Sequence, residues 1–130
     1  MDMPQNIIIK KSKISGQGVF AGKSFKKGQI ILRWKKNKLL SKGQLNKLPR
    51  REKIYVIHYE KNKYLLMQPP ERYVNHSCEP NTYTKNYRDV ALKFIKEGEE
   101  ITSCYSSAEN LVKFRCHCGG KKCKKFIAKN

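Results

Sequence analysis

The sequence predicts a mostly β domain with short helices. Three observations carry that expectation. Apolar and β-branched residues come in short runs, and Gly, Pro and Asn punctuate those runs at turn-like intervals. Only one stretch, Lys35 to Arg51, carries leucines at helical spacing. A chain of 130 residues fits one domain with a modest core. Apolar residues at 38% and charged residues at 30% place it with globular rather than disordered chains.

The elements follow in order. Asn6-Ile-Ile-Ile-Lys10 is β-branched and reads as a strand. In Lys13 to Ala21, Gly16 and Gly18 flank one residue, which suits a backbone that turns sharply and approaches a ligand closely. The pair lacks the third glycine and the strand-to-helix setting of a dinucleotide fingerprint. Lys26-Lys27-Gly28 reads as a turn, and Gln29 to Trp34 as the strand after it. Leu39, Leu40, Leu45 and Leu48 predict one or two short helices that end near Pro49. Tyr55 to Glu60 and Lys63 to Met67 read as a hairpin turning at Lys61-Asn62, with His58 an ordinary member of it. Tyr83 to Tyr87 and Asp89 to Ile95 give another strand pair, Glu97-Gly98 a turn, and Ile101 to Tyr105 the last strand. The chain reads as having no internal repeat and no flexible linker.

Three polar stretches carry chemistry. Arg72 to Asn81 contains Asn-His-Ser-Cys-Glu-Pro-Asn, Gly98 to Tyr105 reads Gly-Glu-Glu-Ile-Thr-Ser-Cys-Tyr, and Cys116 to Cys123 reads Cys-His-Cys-Gly-Gly-Lys-Lys-Cys. Cys116, Cys118 and Cys123 offer three thiolates, and Gly119-Gly120 lets the chain fold tightly around an ion. A structural zinc site takes four tetrahedral ligands, so the fourth comes from His117, Cys78 or Cys104. No signal-peptide layout opens the sequence, and no apolar run approaches the ~20 residues of a membrane span. That predicts an intracellular, reducing compartment and no membrane partner. There, cysteines serve as metal ligands or thiols rather than disulfides.

Together, the three stretches resemble the SET-domain protein-lysine methyltransferases with a post-SET zinc tail, closest in pattern to the trithorax type. The resemblance runs from about Lys10 to the end of the sequence. It implies the SET-domain β-fold with a knot-like C-terminal arrangement, a catalytic domain over residues 1–108 and a small zinc-bound tail over 109–130. It implies S-adenosylmethionine as cofactor, held by Ser15, Gly16, Gln17, Gly18, Tyr55, Asn75, His76 and His117, with the backbone of Asn75 and His76 on the adenine edge. Tyr105 matches the catalytic tyrosine. Trp34 stands where relatives have a tyrosine beside the substrate channel, with Tyr73 and Ser103 as its neighbours there. Cys78 completes the zinc site with Cys116, Cys118 and Cys123, leaving Cys104 as a packed thiol. The chain departs from the pattern in three places. Pro69-Pro70 replaces a Gly-Asn pair, Cys104 stands for an aspartate, and Ser103 for an aromatic residue that limits how many methyl groups fit.

The formal charge of +19 is an electrostatic footprint for nucleic acid or another polyanion, or simply a lysine-rich solvated surface. The resemblance implies a protein substrate with a target lysine, histone or another basic protein, and a nuclear or chromatin location in a eukaryotic setting or a host. Outside such a setting the location is cytoplasmic. A basic chain should repel a basic tail at long range. Either Glu71, Glu79, Glu99 and Glu100 make the channel mouth acidic, or the target arrives bound to nucleic acid. Two readings compete with an active enzyme. One is an inactive SET-like module that docks on chromatin. The other is an unrelated zinc-stabilised nucleic-acid binder, which would need a basic recognition helix or stacked aromatics near the metal.

Overall fold

The computed structural model describes residues 6–104, together with two short strands, Phe114–Arg115 and Phe126–Ile127. The chain runs through β1 (Ile7–Lys11), β2 (Gln17–Ala21), β3 (Ile30–Arg33) and β4 (Leu39–Leu40) into two short helices, α1 (Lys42–Lys47) and α2 (Arg50–Lys53). Next come β5 (Val56–Glu60), β6 (Lys63–Leu66), a 3₁₀ turn at Glu71–Tyr73, β7 (Asn75–His76), β8 (Thr82–Thr84), β9 (Arg88–Ala91) and β10 (Glu100–Ser103). The two outlying strands, β11 (Phe114–Arg115) and β12 (Phe126–Ile127), pair antiparallel.

The sheets are small. One has strand order β1-β2-β10-β7, a second β3-β9-β8 and a third β4-β6-β5. β10 is the junction that matters for function. It runs antiparallel to β2, pairing Glu100 with Phe20, and parallel to β7, pairing Thr102 with Asn75 and Ser103 with His76. The mostly β architecture with short helices is as expected. The knot-like threading and the zinc tail depend on residues beyond 104 and lie outside the described residues.

The core explains why these runs become strands. Val19, Ala21, Leu32 and Ile101, from β2, β3 and β10, are buried together with Phe25 and Ile95, which pair with each other outside the named strands. Each large side chain there contributes roughly 1.5–3 kcal/mol. A second cluster gathers Trp34, Ile57 and Leu65.

Several sequence expectations need correction. Leu39 and Leu40 form a strand against β6 rather than the start of a helix. α1 begins only after Ser41, whose side chain accepts from Gln44 N while the Gln44 side chain accepts from Ser41 N, a capping box. Pro49 does not end the helical region: α1 stops at Leu48, and Pro49 is the N-cap of α2, where its missing N–H costs nothing. The strand expected from Asp89 to Ile95 stops at Ala91, and Ile95 instead bridges to Phe25.

An internal repeat is present after all. Residues 21–31 and 91–101 share Ala, Lys, Lys, Gly and Ile at equal offsets, with Phe25 matching Ile95. They cross-pair with near two-fold symmetry. Ala21 N donates to Glu99 O and Ala91 N to Gln29 O; Gly98 N donates to Ala21 O and Gly28 N to Ala91 O, all at 2.8 Å. Gln29 Oε1 accepts from Lys26 N and Glu99 Oε1 from Lys96 N, so both turns are closed by the same side-chain bond.

Candidate active site

The Gly-x-Gly segment leads into β2, and β2 and the Asn75-His76 strand β7 lie on either side of β10. Each glycine has its own reason. Gly16 adopts φ +44°, a left-handed conformation that other residues rarely take, and the space around its Cα is open. Gly18 is buried, and a side chain there would run into the Glu100 carboxylate and the Ser12 Cβ. The close approach foreseen for Gly18 is thus to a protein carboxylate. Glu100 accepts from Ser12 Oγ at 2.8 Å and from Asn75 Nδ2 at 2.9 Å.

Asn75 does more than its backbone role suggests. Its Nδ2 also donates to the carbonyl oxygens of Ser15 at 3.0 Å and Gln17 at 3.1 Å. One side chain therefore ties the exposed Ser15–Gln17 turn to β7 and to β10, at about 0.5–1.5 kcal/mol per neutral bond and more for the charged one. Asn81 is a second tie that sequence reasoning missed. It is buried; its Nδ2 donates to Glu100 O at 2.8 Å and its Oδ1 accepts from Thr102 N at 2.9 Å, so an amide side chain pairs with β10 as a strand would. The signal was present as the last residue of Asn-His-Ser-Cys-Glu-Pro-Asn.

His76 is buried on β7, and its Nε2 lies 3.3 Å from Cys78 Sγ. Cys78 itself is half-buried. Among the described residues no group of three or more His, Cys, Asp or Glu could hold a metal ion. Tyr105, Cys116, His117, Cys118 and Cys123 lie outside the described residues.

Trp34, Tyr55 and Ser103 line one small, partly open cavity of about 30 Å³. Tyr73 stacks edge-on against Tyr55, with ring centroids 6.2 Å apart, and Arg72 lies over the Tyr55 ring at 4.2 Å. Burial raises the Tyr55 phenol above its ordinary pKa, with the Arg72 guanidinium opposing. Trp34 is both a packed core aromatic and a cavity wall. Its indole N–H donates to Asp89 Oδ2 at 2.9 Å. Burial pushes the Asp89 carboxyl up to about 7, the bond from Trp34 opposing and the Glu71 charge adding to the rise.

Glu71 and Glu100 do not make an acidic mouth. Glu71 is 1% exposed and is paired with Lys35 Nζ at 3.0 Å, while Glu100 is engaged by Ser12 and Asn75. Only Glu79 and Glu99 of that set are exposed.

Comparison with known proteins fits this geometry. A family profile described as the SET domain matches residues 16–106, from the first glycine through Tyr105. The chain belongs to the SET-domain family. Like other SET domains, it resembles the methyltransferase domain of human histone-lysine N-methyltransferase SETMAR, with a TM-score of 0.73 and 20% identity over 94% of this chain and 57% of that one, which speaks for the fold. Among curated proteins, this SET domain is 27% identical to histone-lysine N-methyltransferase trithorax of Drosophila virilis, over 90% of the chain and 3% of trithorax. It is 31% identical to the H3 lysine-9-specific histone-lysine N-methyltransferase KMT1 of Fusarium mangiferae, over 86% of the chain and 45% of that protein. The chain thus spans under half the length of these relatives. Among the described residues no helix is long and apolar enough to cross a membrane.

Proposed function

We propose that this SET domain is an S-adenosylmethionine-dependent protein-lysine methyltransferase acting on histones or another basic, nucleic-acid-associated protein in the nucleus or on chromatin. One observation carries the reading: β10 joins the glycine turn, the Asn75-His76 strand and the cavity wall at Ser103, and leads directly to Tyr105.

The residues fit the cofactor. The Ser15–Gln17 turn is exposed, open beside Gly16 and anchored by Asn75, so its backbone groups are held in place before anything binds. Ser15, Gly16, Gln17 and Gly18 would hold S-adenosylmethionine with the Asn75 and His76 backbone, Tyr55 and His117. When bound, it supplies a methyl group already activated on a sulfonium. The protein's remaining work is to deliver a neutral amine. A lysine of pKa about 10.4 is almost entirely protonated at pH 7, and a dry channel lowers that pKa. Trp34, Tyr73 and Ser103 would confine the side chain, and the Tyr105 hydroxyl would orient the amine for in-line attack. Such positioning supplies several kcal/mol, up to ~7–11. The small Ser103 side chain leaves room for more than one methyl group.

One structural zinc ion, at Cys78, Cys116, Cys118 and Cys123, would tie a tail over residues 109–130 to the catalytic domain over residues 1–108. The His76 Nε2 beside Cys78 Sγ supports this, since in the tautomer that carries its proton on Nε2 it would donate to a ligating thiolate and steady it. The basic surface adds non-specific nucleic-acid association.

A peptide array of histone tails and other basic sequences, incubated with the chain and methyl-labelled S-adenosylmethionine, tests the reading. Label on lysines of a subset of peptides is expected. Nucleic-acid binding without label on any peptide would instead make the chain an inactive docking module.

A further inference from the structure

The outward face of the sheet β3-β9-β8 is divided into two rows. On β9, Val90 and Arg88 stand two residues apart and so share a face. Ile30 and Tyr83 lie opposite Val90 on its two sides, which makes an apolar row. Arg33 and Lys85 lie opposite Arg88 in the same way, which makes the next row entirely cationic. Ile30 and Tyr83 are 38% and 41% exposed, and Arg33 and Lys85 are exposed with them, while Thr82, Asp89 and Ala91 face inward. Like charges directly opposed across strands repel. Among the described residues the ion pairs are Lys35–Glu71 and Arg72–Glu52, and none of the three cations joins one.

β3 is the outer strand of this sheet, and its backbone is open on the side away from β9. Arg88 exchanges both its N–H and its C=O with Lys85, at 3.1 and 3.0 Å, so the Arg33–Arg88 pair is the non-bonded kind and the Arg33 backbone groups point outward. Trp34 N, one residue on, donates to Tyr87 O, as that alternation requires. The same alternation along β8 makes Tyr83–Val90 a bonded pair, so the Ile30 backbone groups also point outward. A bulge separates the two, and the step from Ile30 to Arg33 matches the two-residue step from Val90 to Arg88. The edge therefore offers its outward groups at the spacing of a regular strand. Beside it runs a groove of about 320 Å³, which Ile30, Arg33 and Pro70 help to line.

We infer that the β3 edge takes up an acidic, extended polypeptide segment as a fourth strand, with an apolar side chain beside Ile30 and a carboxylate beside Arg33. The segment's backbone exchanges N–H···O bonds with Ile30 and Arg33, and its alternate side chains extend both rows. The carboxylate relieves the repulsion among Arg33, Arg88 and Lys85. Charge decides against a second copy of this chain, since two chains of +19 repel and Arg33 discourages pairing with another basic edge. The outward pairs of N–H and C=O groups decide for polypeptide over nucleic acid, whose phosphate backbone has no amide to donate. The partner is acidic where the methyl acceptor is basic, so this surface stands apart from the methyltransferase reading.

Amide hydrogen exchange of the full chain tests the inference, with a capped synthetic peptide repeating Val-Thr-Glu-Thr as probe. Extended, that peptide places valine and glutamate alternately on one face. Saturable protection of the Ile30 and Arg33 amides is expected. A counterpart with lysine for glutamate should not protect them, nor should the glutamate peptide N-methylated along its backbone. Arg33→Gln should weaken binding roughly two- to fivefold, the range of an exposed ion pair. The peptide comparisons use the unmodified chain and hold even if the variant folds poorly. No saturable protection by the glutamate peptide, equal protection by the lysine peptide, or protection that survives N-methylation would each overturn the inference. Protection of these two amides by oligothymidylate would overturn it as well, by making the face a nucleic-acid site.

Discussion

Asp89 makes a stability prediction, independent of any ligand. Its carboxyl is raised from 3.8 to about 7 in the folded chain, so between those values the native state holds more protons than the unfolded one. Stability therefore falls as pH rises from about 4 to about 7 and is flat beyond, by a few kcal/mol in order of magnitude. Asp89→Asn keeps an acceptor for Trp34 Nε1, so urea unfolding should find the variant at least as stable as the parent at about pH 8 and without this slope. A parent–variant difference that does not change with pH would contradict the burial of an ionisable group at this position. The sequence shows Asp89 as one charge in an apolar run, Arg-Asp-Val-Ala-Leu, yet strand alternation alone leaves open which face it takes. Glu71 and Asn75 illustrate the same limit. Their types were visible, but the partners Lys35, Ser15 and Gln17 lie tens of residues away and are set by tertiary packing.

Among the elements, the paired turns of the repeat carry matching strain requirements. Gly28 and Gly98 adopt φ +90° and +93°, and nothing lies within 4 Å of a Cβ built on either. An alanine meets no clash there, so its cost is purely conformational, about 1–2 kcal/mol. Urea denaturation of Gly28→Ala and Gly98→Ala should give equal losses of that size; a large difference would break the structural equivalence of the two turns. The hairpin at Lys61-Asn62 was legible because Asn tolerates positive φ, which Asn62 adopts at 61°. The repeat was not, because its signal is spread over short segments far apart and one apolar position changes from Phe25 to Ile95. The strand Leu39–Leu40 was masked by leucines that continue at helical spacing into α1, and pairing with β6 overrides that local pattern.

For the whole molecule, the fold and family were legible from three stretches, of which the two within the described residues meet where β10 pairs with β7, while the charge of +19 says nothing about where a substrate enters. Zinc should couple the tail to this body. One equivalent is expected per chain; Cys78→Ser should lose it nearly as fully as Cys123→Ser, and Cys104→Ser should keep it, because a hydroxyl is a poor substitute for a thiolate. Metal analysis of the three variants checks this, and retention in Cys78→Ser with loss in Cys104→Ser would join the tail to the wrong strand. The central claim is that Tyr105, two residues past β10 in the sequence, orients the amine for methyl transfer. A single-turnover reaction of the parent chain and Tyr105→Phe, on a lysine peptide selected from the array, measures it most directly. The phenylalanine ring fills the same space but loses the hydroxyl that orients the amine. The rate should fall by roughly a hundredfold or more with S-adenosylmethionine binding unchanged, whereas an unchanged rate would contradict the placement of the chemistry at Tyr105.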